Sequence, residues 1–252
     1  MVIGGGFIGS AIAALLTITG ADVTVVFPER DLCARLFPPG LARFVSDHFR
    51  ERGVVVRDGA SVTGIARDGD GHEVALDAGD ALRADGVVVG IGIVPEVELA
   101  REAGLETGDG IVVHAHLRTS DPAIFAAGDV AAFSHPALRR RTRVEHEDAA
   151  NTMGRQAGRN MAGADEPYEH VPLFYSDLFD LGYEAVGRVD SRLDLVEDWT
   201  DEYGQRVVYY LEEGRVEGGL LWNTWGQAEA ARGLLHDRST VLPGDLAGRL
   251  PE

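Results

Sequence analysis

One segment limits the possible folds more than any other. Gly4-Gly5-Gly6-Phe7-Ile8-Gly9 follows the apolar pair Val2-Ile3 and runs into a stretch of good helix formers from Ser10 to Thr19. Strand, glycine turn, helix is the context in which Gly4-x-Gly6-x-x-Gly9 reads as a dinucleotide fingerprint. Gly4 permits the tight turn, Gly6 lets a pyrophosphate approach the backbone, and Gly9 lets the helix pack close to the strand. The helix amino terminus turns free N–H groups and a partial positive charge toward the phosphates. Glu29 stands 20 residues beyond Gly9, just after the apolar run Val23–Phe27, where a carboxylate accepts a hydrogen bond from a ribose 2′-hydroxyl. A carboxylate about 4 Å from a 2′-phosphate opposes it by about 1 kcal/mol in water and about 4 kcal/mol at an effective dielectric of 20. Arg30 and Arg35 offset part of this, and the reading favours NADH over NADPH.

The rest of the first ninety residues alternates in the same way. Pro38-Pro39-Gly40 opens a second helix that Gly53 ends, and Val54-Val55-Val56 is the next strand. Between Ser61 and Leu82 the pattern changes to short antiparallel strands around the Asp68–Gly71 turn. Val87-Val88-Val89 returns to a buried strand that ends in Gly90-Ile91-Gly92. A helix over 96–103 follows, then apolar strands at 111–113 and 124–126, the second ending in Gly128-Asp129. A helix over 146–162 comes next. After Pro172 the pattern predicts strands near 184–189, 193–199, 206–211 and 216–222, and a helix over 226–236.

Composition removes several chemistries. The 23 residues counted as lysine or arginine are all arginine, which excludes a Schiff-base lysine. Cys33 is the single cysteine, so no disulfide, Cys-x-x-Cys redox pair or thiolate metal cluster forms within the chain. A net charge of −18 argues against nucleic acid and anionic membrane surfaces as partners. The one basic run, Arg139-Arg140-Arg141 with Arg143, reads as a solvated loop. No apolar run reaches the roughly 20 residues that span a bilayer, and a cytoplasmic location is the expectation.

The glycine turn, the later Ile124-Phe125-Ala126-Ala127-Gly128-Asp129 and the order in which they come resemble the two-dinucleotide flavoprotein reductases of the pyridine nucleotide-disulfide oxidoreductase superfamily. Further stretches are similar to the apoptosis-inducing-factor branch: Phe27-Pro28-Glu29-Arg30, Val144-Glu145-His146, the 154–161 stretch Gly-Arg-Gln-Ala-Gly-Arg-Asn-Met, Phe174-Tyr175-Ser176-Asp177-Leu178, the 182–187 stretch Gly-Tyr-Glu-Ala-Val-Gly, and Leu220-Leu221-Trp222-Asn223. The resemblance implies an α/β fold: a Rossmann-like doubly wound NAD-binding domain over 1–91, the returning segment of a split FAD-binding domain over 92–167, and a small α+β domain over 168–252.

It also implies site residues. Gly4, Gly6, Phe7, Gly9, Glu29, Arg35 and Gly92 would line the NADH site. Gly128 and Asp129 would meet the flavin ribityl chain, Glu145 and His146 the isoalloxazine and nicotinamide, and Tyr175, where the family carries tryptophan, the same rings. Hydride would pass from NADH to FAD and on to an acceptor left open between a small redox protein and a quinone. No metal is implied, and whether two copies pair stays open.

Each assignment has a plainer rival. Gly128-Asp129 also reads as a capped strand end, Glu145-His146 as an ordinary helix amino-terminal turn, and Phe7 and Tyr175 as core aromatics. Two departures from the family pattern stand out. Ala11 occupies the place of a glutamate that would meet the nicotinamide, and only Met1-Val2-Ile3 precede the turn where a central strand usually runs about 5–6 residues. The chain holds one of the family's two phosphate-binding glycine turns. The expectation is therefore that FAD's first holding segment is missing and that the chain alone is colourless. The alternative is a non-catalytic NAD-binding or interaction module.

Overall fold

The computed structural model describes residues 1–199, 204–237 and 239–250. Its first layer is a parallel sheet of four short strands: β1 (Val2–Ile3), β2 (Thr24–Val26), β3 (Val55–Arg57) and, past the next hairpins, β7 (Val88–Val89), in the order β3-β2-β1-β7. Helices α1 (Phe7–Ile18) and α2 (Pro39–Glu51) are the crossovers from β1 to β2 and from β2 to β3. Pro39 at the start of α2 already has the φ that a helix needs and no N–H to leave unpaired. Between β3 and β7 lies an antiparallel meander, β4 (Val62–Asp68), β5 (Gly71–Leu76) and β6 (Ala81–Ala84). Val74 and Leu76 of β5 close a small core against Ile3 and Val26.

A second sheet follows the short helix α3 (Glu98–Glu102). It contains β8 (Thr107–Gly108), β9 (Gly110–Val113), β10 (Ala131–His135) and β11 (Arg140–Thr142), in the order β11-β10-β9-β8. Helix α4 (Glu147–Met161) lays Ala149, Met153 and Ala157 on a core with Val113, Leu117, Phe133 and Tyr168. The third layer is an antiparallel sheet of β12 (Leu173–Leu178), β13 (Leu181–Gly187), β14 (Asp194–Trp199), β15 (Arg206–Glu212) and β16 (Arg215–Trp222), in the order β12-β13-β16-β15-β14. Helix α5 (Ala228–His236) packs Ala231 and Leu235 on one face of it. The other face presents Phe174, Tyr183, Val208, Tyr210 and Trp222 to a core shared with Val25, Phe37, Leu41 and Phe49 of the first layer.

Four expectations need correction. The strand at 87–89 is not buried: β7 is an edge strand with Val88 half-buried and Val89 53% exposed. The 124–126 run is not a strand. It forms a single antiparallel bridge, Arg118 to Phe125, and its backbone bonds go to Leu117 and Thr119. The parallel partner of β9 is instead β10, the segment just after Gly128-Asp129. Leu173–Leu178 is a strand that the pattern did not predict, because its inward slots hold Phe174, Ser176 and Leu178 while the outward slots hold Tyr175 and Asp177, which blurs the alternation. Finally, Arg140–Thr142 is an edge strand paired with β10 and not a loop.

Candidate functional site

The glycine turn lies at the carboxyl end of β1, where β7 on one side and β2 on the other are reached by connections that run in opposite directions across the sheet. Open α/β sheets bind ligands at such a switch point. Gly4 has φ +109°, and a Cβ there would stand 2.2 Å from the Gly90 carbonyl oxygen. A Cβ on Gly5 would enter the Phe27 ring at 2.5 Å, and one on Gly9 would lie 1.9 Å from the Gly4 carbonyl oxygen. Packing within the chain therefore demands three of these glycines. Gly6 differs, because its backbone is extended (φ −84°, ψ −164°) and an added Cβ would meet nothing within 4 Å. The protein's own atoms give no reason for glycine there, whereas a pyrophosphate approaching the backbone does. Gly6 also caps α1 with no side-chain hydrogen bond and no acidic residue in the first turn, leaving the N–H groups of that turn to a ligand.

Glu29 follows β2, and its side chain, 28% exposed, pairs with Arg35 at 2.9 Å. The segment that carries both is pinned from several sides. Cys33 N–H donates to the Gly5 carbonyl at 2.7 Å, Ser191 Oγ to the Ala34 carbonyl at 2.6 Å, and Tyr210 Oη to the Leu36 carbonyl at 2.6 Å. Cys33 is buried beneath the turn, 3.4 Å from Ser10 Oγ. Burial pushes its thiol up to about 11, against the hydrogen bond from Ser10, so it is a packing thiol and not a nucleophile. Gly92, at φ +102° with open space around it, closes the same end of the sheet, just past Gly90. Ala11 is half-buried on α1.

An aromatic ladder joins this end to the other two layers. Phe7, in the first turn of α1, meets Phe174 of β12 edge-on, with ring centroids 5.5 Å apart. The other side of Phe174 stacks on His146 at 4.3 Å and 19°. His146 is the residue immediately before α4, without a side-chain cap bond. Asp148 in the first turn of α4 fastens β12 in place, accepting from Leu173 N–H at 3.0 Å and from Arg232 at 3.2 Å. Burial holds His146 below the usual imidazole value, against the opposing pull of Glu145, Asp129 and Asp148. Tyr175 points to the opposite face of β12 and is 58% exposed. Phe7 and His146 thus come together through Phe174, which the sequence reading had not singled out, while Tyr175 turns away from that ladder.

Gly128 takes φ +76° in the turn that leads into β10, and Asp129 exposes a carboxylate that has no hydrogen-bond partner among the described residues. Arg143 is the second residue that sequence reasoning missed. Grouped with a solvated run, its side chain is in fact only 9% exposed. Its guanidinium donates to Asp109 Oδ1 at 3.0 Å and to the Asp129 backbone carbonyl at 3.1 Å, and it pairs with Glu145 Oε1 at 2.7 Å. Among the described residues no group of histidine, cysteine or carboxylate side chains is placed to hold a metal, and no helix is long and apolar enough to cross a membrane.

Two family models match the chain: pyridine nucleotide-disulphide oxidoreductase over residues 1–154, and the carboxy-terminal region of mitochondrion-associated apoptosis-inducing factor over residues 157–201. A ferredoxin–NAD(+) reductase component of the anthranilate 1,2-dioxygenase system of Burkholderia cepacia is 36% identical over 98% of this chain and 61% of its own length. Among solved structures, a ferredoxin reductase from Rhodopseudomonas palustris superposes with a TM-score of 0.87 at 33% identity, covering 98% of this chain and 61% of its own. A putidaredoxin reductase in covalent complex with putidaredoxin superposes with a TM-score of 0.88 at 31% identity, covering 98% and 60%. The chain therefore spans about three-fifths of the length of these relatives.

Proposed function

The chain belongs to the pyridine nucleotide-disulphide oxidoreductase family, and from that premise we propose that it takes hydride from NADH onto FAD and passes electrons to a small redox protein. The observation that carries this reading is Gly6, the one glycine of the turn that the protein's own packing does not require. The free amino terminus of α1 holds the pyrophosphate, and Glu29 receives the ribose hydroxyls and disfavours a 2′-phosphate. Phe7 and the Gly90–Gly92 strand end border the nicotinamide side.

For FAD the residues present fit the ribityl and ring side of a site, not its pyrophosphate side. Asp129 offers an unpartnered carboxylate to the ribityl chain, and the start of α4, which has no side-chain cap, offers its N–H groups to a ring edge, with Glu147 and Asp148 in the first turn offsetting the dipole there. The bound nicotinamide and flavin supply the hydride chemistry themselves, and the protein contributes orientation and electrostatics. Burial holds His146 below the usual imidazole value, which disfavours a fixed positive charge at that edge. Residues 1–91, 92–167 and 168–252 are read as NAD domain, returning FAD segment and carboxy-terminal domain. The redox-protein acceptor rests on the named functions of the ferredoxin and putidaredoxin reductases.

In protein carrying FAD, anaerobic NADH should bleach the flavin's visible absorbance, and NADPH should do so several-fold more slowly. If neither nucleotide reduces the flavin, the oxidoreductase reading fails.

A further inference from the structure

Arg143 makes its three polar contacts to three separate segments: the β8–β9 turn through Asp109, the Gly128–Val130 turn through the Asp129 carbonyl, and the link from β11 to α4 through Glu145. Room for it is made by Gly110, at φ +104°, where a Cβ would stand 2.9 Å from Arg143 Cδ and 2.5 Å from the Val130 carbonyl oxygen. A rigid guanidinium fork can hold three acceptors at once in this way, and a lysine ammonium on its flexible stem holds them far less tightly. Holding Asp129 by its backbone carbonyl leaves the Asp129 carboxylate free, and pairing with Glu145 neutralises the carboxylate next to His146.

We propose that Arg143 is a positioning residue that sets the Asp129–Glu145–His146 edge, aiming the Asp129 carboxylate outward and cancelling the Glu145 charge beside the His146 ring. The idea that this edge faces a flavin rests on the function proposed above; the positioning itself does not. The charged groups that face His146 are Glu145 from the linker, Asp129 from the turn and Asp148 from α4. Asp148 is itself held by Arg232 of α5 and by His170, while Phe7 and Phe174 are uncharged. Without Arg143, three carboxylates would act on His146 with one fewer compensating cation, and Glu145 would be free to approach the imidazole.

The test is the NMR titration of His146 in the unliganded chain, in the native protein, in Arg143→Met and in Arg143→Lys. The expected result is an upward shift of the His146 midpoint by about half a unit or more in Arg143→Met, in the direction that added negative charge dictates, with a smaller shift in Arg143→Lys. Arg143→Lys keeps charge and most of the volume, so it serves if the methionine variant fails to fold. A folded variant that melts earlier but titrates His146 at the native midpoint would reduce Arg143 to a structural staple and overturn the proposal. In protein carrying FAD, Arg143→Lys should also move the flavin midpoint potential to more negative values. A His146 shift without any change in potential would uphold the positioning role and contradict the placement of flavin at this edge.

Discussion

At the scale of a single residue, the proposed choice between NADH and NADPH rests on Glu29. Its carboxylate is neither deeply buried nor fully solvated, so its repulsion of a 2′-phosphate falls between the roughly 1 kcal/mol of bulk water and the roughly 4 kcal/mol of a partly shielded site. Arg35 lies 2.9 Å away and cancels part of that while the pair is intact. Glu29→Ala removes the repulsion and releases Arg35 to meet the extra phosphate. NADH is therefore expected to bind at least several-fold more tightly than NADPH to the native chain, and the substitution should close or invert the gap when both are measured by calorimetry. Equal affinities in the native chain would show that Glu29 does not read the ribose.

Among the elements, β10 and its approach show best what a sequence does and does not reveal. His135 at the end of β10 is 1% exposed, and its Nε2–H donates to the His170 carbonyl at 3.0 Å. Its Nδ1 accepts the N–H groups of Ala137 at 3.1 Å and Leu138 at 3.3 Å. A proton on Nδ1 would face two donors, and burial further holds the imidazole below its usual value. The unfolded chain then binds the proton first, so this histidine's contribution to stability is full above about pH 6.5 and is lost as the pH falls toward the lower folded value. The stability difference between the native chain and His135→Gln, from urea unfolding, should narrow between pH 7.5 and 5.5. A difference that stays constant over that range would mean that His135 titrates normally.

None of this was legible beforehand, because β10 itself was not. The apolar run at 124–126 took the place of the strand, and a strand with no ladder partner is only a bridge. The glycine turn, β1, α1, β2 and α2 were legible because each carries its own punctuation, glycine at one end and proline or a β-branched run at the other. Phe174 and Arg143 were not, since one is made important by a ring from another layer and the other by acceptors on three distant segments.

On the scale of the whole molecule, one core unites the parallel sheet with the inner face of the five-stranded sheet, and the Phe7–Phe174–His146 ladder crosses from both to the start of α4. The end of the parallel sheet that carries Gly6 and Glu29 is thus held by all three layers, which suits the proposed dinucleotide site. The most direct test is calorimetric binding of NADH to the native chain and to Gly6→Val. The extended backbone of Gly6 and the open space around a Cβ there put the substitution among ordinary surface changes, so stability should stay within about 0.5 kcal/mol. The account predicts that NADH binds the native chain and that the folded variant loses at least about tenfold in affinity, or about 1.4 kcal/mol. A folded Gly6→Val chain that binds NADH as tightly as the native one would contradict it.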